Sequence, residues 1–151
     1  MGYIMELREL IGTRPIIMVG VTVLVKNREG HLLLQKRTDS LDWGTIGGSL
    51  ELGETFEEAA RRELFEEAGL KAEKLKFIAN LSGKDFYYKY PNGDEVFNTI
   101  AVFEAVNVQG KPTINDDEGL ELKYFSIDEP IDNLNSNSYM ILKHLGYTEN
   151  W

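Results

Sequence analysis

The stretch GGSLELGETFEEAARRELFEEAGL, residues 47–70, contains seven glutamates, and its second half has the spacing of an amphipathic helix. Thr55 followed three residues later by Glu58 is a capping-box pattern, which predicts that the helix begins at Phe56. Gly69 is a typical helix stop, because glycine readily adopts the left-handed conformation that ends a helix. The fold therefore has to accommodate a helix with like charges one turn apart, an arrangement that costs stability unless something compensates it.

The helical phase places part of this charge against the protein. Phe56 and Ala60 are apolar positions that must face the sheet. At about 100° per residue, Glu63 and Glu67 project close to both, and Glu66 lies about 60° further round. Three carboxylates at the edge of a core cannot all stay ionised without compensation, and divalent cations such as Mg²⁺ bind oxygen ligands of this kind. A helix whose charged face is simply solvated is the alternative interpretation.

Composition narrows the classes of function. With 16 Lys and Arg against 25 Asp and Glu, the formal net charge is −9, so the surface repels nucleic acid and anionic membranes, and neither is an expected partner. The chain has no cysteine, which excludes thiolate metal sites and a cysteine nucleophile and is compatible with a cytoplasmic location. An anionic substrate would need bound cations to offset the negative charge.

Strands and helices are interspersed along the rest of the chain. Helical spacing predicts one helix over residues 3–11 and another over 137–145. Apolar and β-branched runs predict strands over residues 16–25, 31–35, 75–81, 86–90, 96–106 and 122–126. Residues 38–48 are predicted to form a loop. This order indicates a single α/β domain over residues 1–151, with a mixed sheet covered by helices on its faces.

The segment from Gly48 to Leu70 resembles the Nudix box, G-x5-E-x7-R-E-U-x-E-E-x-G-U, in which U is an aliphatic residue. Every fixed position is filled, by Gly48, Glu54, Arg62, Glu63, Leu64, Glu66, Glu67, Gly69 and Leu70. The resemblance implies a Nudix-type α/β/α sandwich with a central mixed β-sheet. It also implies hydrolysis of a nucleoside diphosphate linked to another group, with Mg²⁺, or alternatively Mn²⁺, as the cofactor.

The same resemblance implies roles for the residues of the box. The implied metal ligands are Gly48, Glu54, Glu63, Glu66 and Glu67. Glu63 and Glu67 are also candidates for the catalytic base that activates water. Arg62 would orient the glutamates through charge-assisted hydrogen bonds rather than touch the substrate.

A second acidic segment, Asn115-Asp116-Asp117-Glu118-Gly119, precedes the predicted strand 122–126. It resembles the family segment in which a loop acid serves as the general base in several members. Glu118 is therefore a candidate catalytic or metal-linked residue. A solvated loop acid is the alternative interpretation, because acidic loops are common. Asp117 and Glu121 are weaker candidates.

Four further residues are candidates for substrate binding: Arg37, Trp43, Tyr87 and Tyr88. Arg37 is predicted either to meet a substrate phosphate or to pair with a loop acid. Trp43 is predicted either to stack on a base or to pack in the core. The two tyrosines either stack on an adenine or are ordinary residues of a half-buried strand. Ile46 stands where the family usually has proline, and we expect a looser loop there.

The intact box makes a metal-dependent pyrophosphohydrolase the leading hypothesis, with a nucleotide-derived small molecule as the partner. The substrate class stays open among dinucleoside polyphosphates, nucleoside triphosphates and ADP-ribose-like nucleotide sugars. A non-catalytic, nucleotide-sensing module is the alternative; such modules usually lose box glutamates, which this chain retains. An isomerase of the same fold normally needs a cysteine, which this chain lacks. Because many members of the family dimerise, a homodimer is a further expectation.

Overall fold

The computed structural model describes residues 2–151, so Met1 of the predicted domain lies outside the described residues. Three α-helices lie within these residues: α1 (Tyr3–Ile11), α2 (Phe56–Ala68) and α3 (Ser136–His144). The strands are β1 (Ile16–Leu24), β2 (Leu32–Arg37), β3 (Trp43–Ser49), β4 (Lys71–Leu81), β5 (Tyr87–Lys89), β6 (Glu95–Gln109) and β7 (Gly119–Phe125). Within residues 2–151, no helix has the length and apolar character needed to cross a membrane.

The strands form one mixed sheet. Their order is β4-β6-β1-β3-β2-β7, and β5 pairs with the beginning of β6. The neighbouring strands β1 and β6 run parallel, whereas the other pairs are antiparallel. The predicted mixed sheet is therefore confirmed.

Each face of the sheet carries its own hydrophobic core. Side chains alternate between the two faces of a strand, so that Val21 and Val23 of β1 pack in the core that contains Leu64 of α2. Leu24 of the same strand packs in the opposite core, which contains Ile141 of α3. Helices thus cover both faces of the sheet, and the predicted α/β/α sandwich is confirmed.

The prediction of a loop over residues 38–48 is wrong for its second half. Residues Trp43–Ser49 form β3, which pairs with β1 on one side and with β2 on the other. Ile46 is fully buried and pairs with Val23, so the expected loosening at this position is also absent. Glycine has a low strand propensity, so the three glycines of this segment led to the prediction of a loop. The strand is stabilised instead by its pairing with β1 and β2.

Helix α2 begins and ends as predicted. The Thr55 hydroxyl accepts the Glu58 backbone N–H, the Glu58 carboxylate accepts the Thr55 N–H, and Gly69 is left-handed with φ 66°. The predicted inward face is correct for Ala60, Glu63 and Glu67, which are buried. It is wrong for Phe56, the first residue of α2, which is 42% exposed. It is also wrong for Glu66, whose side chain is 49% exposed, because a further rotation of about 60° takes it off the sheet.

Candidate active site

A cleft of about 460 Å³ opens between α1, the centre of the sheet, the β5–β6 hairpin and the beginning of α3. Glycines 47 and 48 of β3 line it together with the carboxylates of Glu63 and Glu118. The cleft therefore brings part of the glutamate-rich helix and the second acidic segment to one place, although more than fifty residues separate them in sequence.

Glu67 lies beneath this cleft and is 1% exposed. The Gly47 backbone N–H donates to its Oε1 at 2.7 Å, and the Gln35 side-chain amide donates to its Oε2. Burial raises the pKa of Glu67 well above its ordinary value, and the charge of Glu63 adds to that effect. The two N–H donors hold the carboxylate in one orientation.

Arg62 connects Glu54, which precedes α2, with Glu63 and Glu66 of the helix. Its guanidinium binds both oxygens of Glu54 (2.6 and 2.8 Å), Glu63 Oε1 (2.8 Å), Glu66 Oε2 (3.3 Å) and the Ser49 carbonyl (3.0 Å). The hydrogen bonds from Arg62 lower the pKa of Glu54. Burial raises the pKa of Glu63 to about 7, although Arg62 opposes the shift. One guanidinium thus fixes the relative positions of three carboxylates.

Gly48 leaves room for the Glu63 carboxylate. A β-carbon at this position would lie 2.5 Å from Glu63 Oε1 and 2.6 Å from its carboxyl carbon. The β3 backbone therefore approaches this carboxylate as closely as the absence of a side chain permits.

Asp116 and Glu118, in the loop before β7, form a cluster with Glu67 of α2. Carboxylate oxygens of Glu67, Asp116 and Glu118 all lie within 4.8 Å of one another. The Asn115 side chain donates to the Phe65 carbonyl of α2 at 3.1 Å, which ties this loop to the helix. Sequence reasoning selected Glu118 but missed Asp116, for which the only signal was its place in a run of three acids.

The donor set of this cluster fits a hard divalent cation. Mg²⁺ and Mn²⁺ prefer carboxylate and carbonyl oxygens, and the cluster supplies three carboxylates at short mutual distances. Beside it, the Gln35 amide oxygen is buried, and none of residues 2–151 forms a hydrogen bond with it. Glu54 is engaged by Arg62 through both oxygens, and Glu66 is half-exposed outside the cluster, so their predicted roles as ligands stay predictions.

Of the four predicted substrate-binding residues, two line the cleft and two lie outside its lining. Arg37 and Tyr88 line the cleft, and Arg37 also makes a bidentate ion pair with Asp39 at 2.9 Å, which lowers the pKa of that carboxyl. Trp43 packs edge-on against Phe125 at 4.8 Å between ring centroids, and it is not among the residues that line the cleft.

Tyr87 and Tyr88 point to opposite faces of β5. Tyr87 packs against Phe97 at 5.3 Å, donates its hydroxyl to Glu95 and lies outside the cleft lining. Tyr88 instead meets Tyr90 edge-on, with ring centroids 4.9 Å apart, and both line the cleft. Sequence reasoning missed Tyr90, although the period-two alternation of a strand pairs it with Tyr88.

Comparison with known proteins identifies the family. The family model described as NUDIX domain matches residues 17–145, which is most of the chain. The chain belongs to the NUDIX domain family. The glutamates of α2 and the loop carrying Glu118 both lie within the matched part of this NUDIX domain.

Individual relatives of this NUDIX domain differ in what their names describe. It is 33% identical over 128 residues to an NAD-capped RNA hydrolase, NudC, of Haemophilus influenzae (strain PittGG), covering 81% of this chain but only 44% of that protein. It is 34% identical over 112 residues to an oxidized purine nucleoside triphosphate hydrolase of Danio rerio, covering 72% of this chain and 67% of that protein. The crystal structure of a MutT NUDIX hydrolase from Burkholderia pseudomallei superimposes with a TM-score of 0.69 at 26% identity, covering 86% of this chain and 97% of that one.

The buried carboxyl of Glu63 should make the stability of this NUDIX domain fall as pH rises. Between the ordinary pKa of 4.5 and the folded pKa of about 7, the folded state keeps a proton that the unfolded state releases. With a chelator present, we expect the free energy of unfolding to fall by up to about 3 kcal/mol between pH 4.5 and 7.5. Urea unfolding at several pH values measures this.

The Glu63→Gln variant should reduce the slope of this dependence, because its side chain cannot ionise; the raised pKa of Glu67 accounts for the part of the slope that remains. Glu57→Gln, on the exposed face of α2, is the matched control and should keep the slope of the unsubstituted protein. Equal slopes for Glu63→Gln and the unsubstituted protein would contradict the assignment of the effect to Glu63.

Proposed function

We propose that this NUDIX domain is a metal-dependent hydrolase that cleaves a nucleoside diphosphate linked to another group, by attack of water on phosphorus. The observation that carries this proposal is the cluster of Glu67, Asp116 and Glu118 beside a cleft of about 460 Å³. Carboxylates gathered beside a cleft are a poor environment for an anionic substrate unless a cation joins them. Mg²⁺ or Mn²⁺ is the cofactor that the proposal requires.

The proposal assigns two roles to the residues at this site, which are holding the cation and accepting a proton from water. Glu67, Asp116 and Glu118 would hold the ion, which when bound offsets phosphate charge and lowers the pKa of a water. Glu63 and Glu118 are the candidates for accepting the water's proton, because both line the cleft. Glu67 is less suited to that role, because each of its oxygens already accepts a hydrogen bond.

Other residues serve orientation and recognition in this proposal. Arg62 holds the carboxylates of Glu54, Glu63 and Glu66 through the hydrogen bonds described above, and it is not among the residues that line the cleft. Tyr88 and Tyr90 offer aromatic surface for stacking a nucleobase, and Arg37 lines the same cleft. Tyr87 and Trp43 are left out of the proposed binding surface.

We rank the candidate substrates by how much of each relative's own length its match to this chain covers. The Danio rerio protein named for oxidized purine nucleoside triphosphates matches over two thirds of its own length, whereas the NudC protein matches over less than half. Oxidised purine triphosphates therefore come first in the test. Dinucleoside polyphosphates, ADP-ribose and NAD follow.

The experiment follows turnover of a panel of nucleotides by the full chain through chromatographic separation of the products, and each nucleotide is tested with a chelator, with Mg²⁺ and with Mn²⁺. The panel contains 8-oxo-dGTP, dGTP, diadenosine tetraphosphate, ADP-ribose and NAD. We expect metal-dependent turnover of at least one compound and none with the chelator. Metal and nucleotide binding without turnover of any compound would overturn the catalytic proposal and favour a nucleotide sensor.

A further inference from the structure

Gln35 is a buried polar residue that the glutamate motif does not include. It lies on β2 and is 1% exposed, with its amide nitrogen donating to Glu67 Oε2. Its amide oxygen is also buried, and no hydrogen-bond partner for it lies within the described residues. A buried acceptor without a partner costs stability, so its presence needs an explanation, such as a role for this oxygen in binding a ligand.

The free oxygen of Gln35 faces the acidic loop. A β-carbon built on Gly119 would lie 3.2 Å from Gln35 Oε1 and 4.0 Å from Asp116 Oδ1, so both oxygens border the same small space. Gly119 begins β7 and pairs with Arg37, two residues beyond Gln35 on β2. The strand pairing therefore holds Gln35 beside the loop that carries Asp116 and Glu118.

We propose that Gln35 and Asp116 belong to the cation site: Gln35 is a positioning residue that holds Glu67 and turns its amide oxygen toward the ion's hydration shell, and Asp116 is a ligand. This inference rests on the proposed metal dependence, and it adds Gln35, from outside the glutamate motif, to the three carboxylates already proposed to hold the ion. The carboxylate of Glu67 is fixed from two sides, by Gly47 and by Gln35, and one of its oxygens lies within 4.8 Å of oxygens of Asp116 and Glu118. Removal of such a supporting partner typically weakens metal binding by about 10-fold to 100-fold.

Gln35→Leu separates a positioning role from a merely structural one. Leucine has a similar volume and removes both the donor to Glu67 and the unpaired acceptor. We expect the metal-free protein to keep its unfolding midpoint in urea, whereas calorimetry should show Mn²⁺ binding at least about tenfold more weakly. Leu33→Met, a volume-conserving change on the same face of β2, is the control and should change neither quantity.

Asp116→Asn tests the ligand role without disturbing the loop. Asparagine can still accept the Glu118 N–H that Asp116 Oδ1 accepts at 3.1 Å, so only the charge is lost. Asp117→Asn makes the same charge change one residue away, outside the cluster. We expect weaker Mn²⁺ binding for Asp116→Asn and unchanged binding for Asp117→Asn. Equal Mn²⁺ affinities for these two variants would overturn the role of Asp116, even if Gln35→Leu does not fold.

The outcomes also distinguish this inference from the proposed function. If the unsubstituted protein binds Mn²⁺ and Glu67→Gln does not, while Gln35→Leu binds normally, the role of Gln35 is overturned and the metal dependence stands. If the unsubstituted protein binds no Mn²⁺, both fail. Loss of stability in Gln35→Leu with unchanged Mn²⁺ affinity shows that Gln35 is structural and also overturns its assigned role.

Discussion

Glu67→Gln is expected to fold normally and to turn over its substrate more slowly by several orders of magnitude. Glutamine has the shape of glutamate and can still accept the Gly47 N–H, and Gln35 can rotate its amide so that its own oxygen accepts from the new side chain. The buried negative charge is lost, which removes a cation ligand without opening a cavity. Turnover is measured at saturating Mg²⁺ with the best substrate of the nucleotide panel.

The matched control for this variant is Glu57→Gln. Glu57 lies on the outer side of the same helix, 3.6 Å from Arg61 in an exposed ion pair, and its substitution should leave turnover unchanged. Thermal unfolding of the metal-free Glu67→Gln variant should match or exceed that of the unsubstituted protein. Unimpaired turnover by Glu67→Gln would remove Glu67 from the catalytic machinery.

Gly47→Ala is expected to be the most destabilising single substitution near the site. Its β-carbon would lie 2.1 Å from the Val21 carbonyl oxygen and 3.0 Å from Thr22 Cα, both of which are backbone atoms of β1. Gly47 pairs with Thr22, so relief of the clash requires β1 and β3 to separate. We expect a loss of about 3 kcal/mol or more in the free energy of unfolding, measured in urea.

Gly48→Ala, at the neighbouring position, should affect turnover more than stability. Its β-carbon would collide with the end of the Glu63 side chain, which can move, whereas the backbone around it can stay in place. We expect a smaller loss of stability than in Gly47→Ala, together with reduced turnover because Glu63 is displaced. Equal stability of Gly47→Ala and the unsubstituted protein would show that β3 shifts freely, contrary to its double pairing.

Helix α2 could be read from the sequence because its signals are local. The cap at Thr55, the stop at Gly69 and the spacing of Glu63 and Glu67 all lie within one short segment. Strand β3 could not be read, because its glycines are poor strand formers and its hydrogen bonds depend on two strands distant in sequence. The position of Glu66 was mistaken because the width of the buried stripe depends on the shape of the sheet beneath it.

The same holds for the site: residues in local motifs could be predicted from the sequence, whereas residues brought together by the fold could not. The box glutamates and Glu118 follow from motifs, whereas Gln35 reads as an ordinary residue in an apolar strand. Its contact with Glu67 appears only when β2 is placed against α2. Tyr88 and Tyr87 could not be ranked because the sequence does not say which face of β5 borders the cleft.

The carboxylate cluster draws on segments that are far apart along the chain. Glu67 comes from α2, Asp116 and Glu118 follow some fifty residues later, and Gln35 precedes Glu67 by 32 residues. Closing loops of this length comes late in folding, so the disordered chain offers a cation no ready-made chelate. An ion that binds only the finished structure slows unfolding and leaves the folding rate unchanged. If Mg²⁺ is the ion, as proposed, it would lengthen the lifetime of the native protein rather than guide its folding.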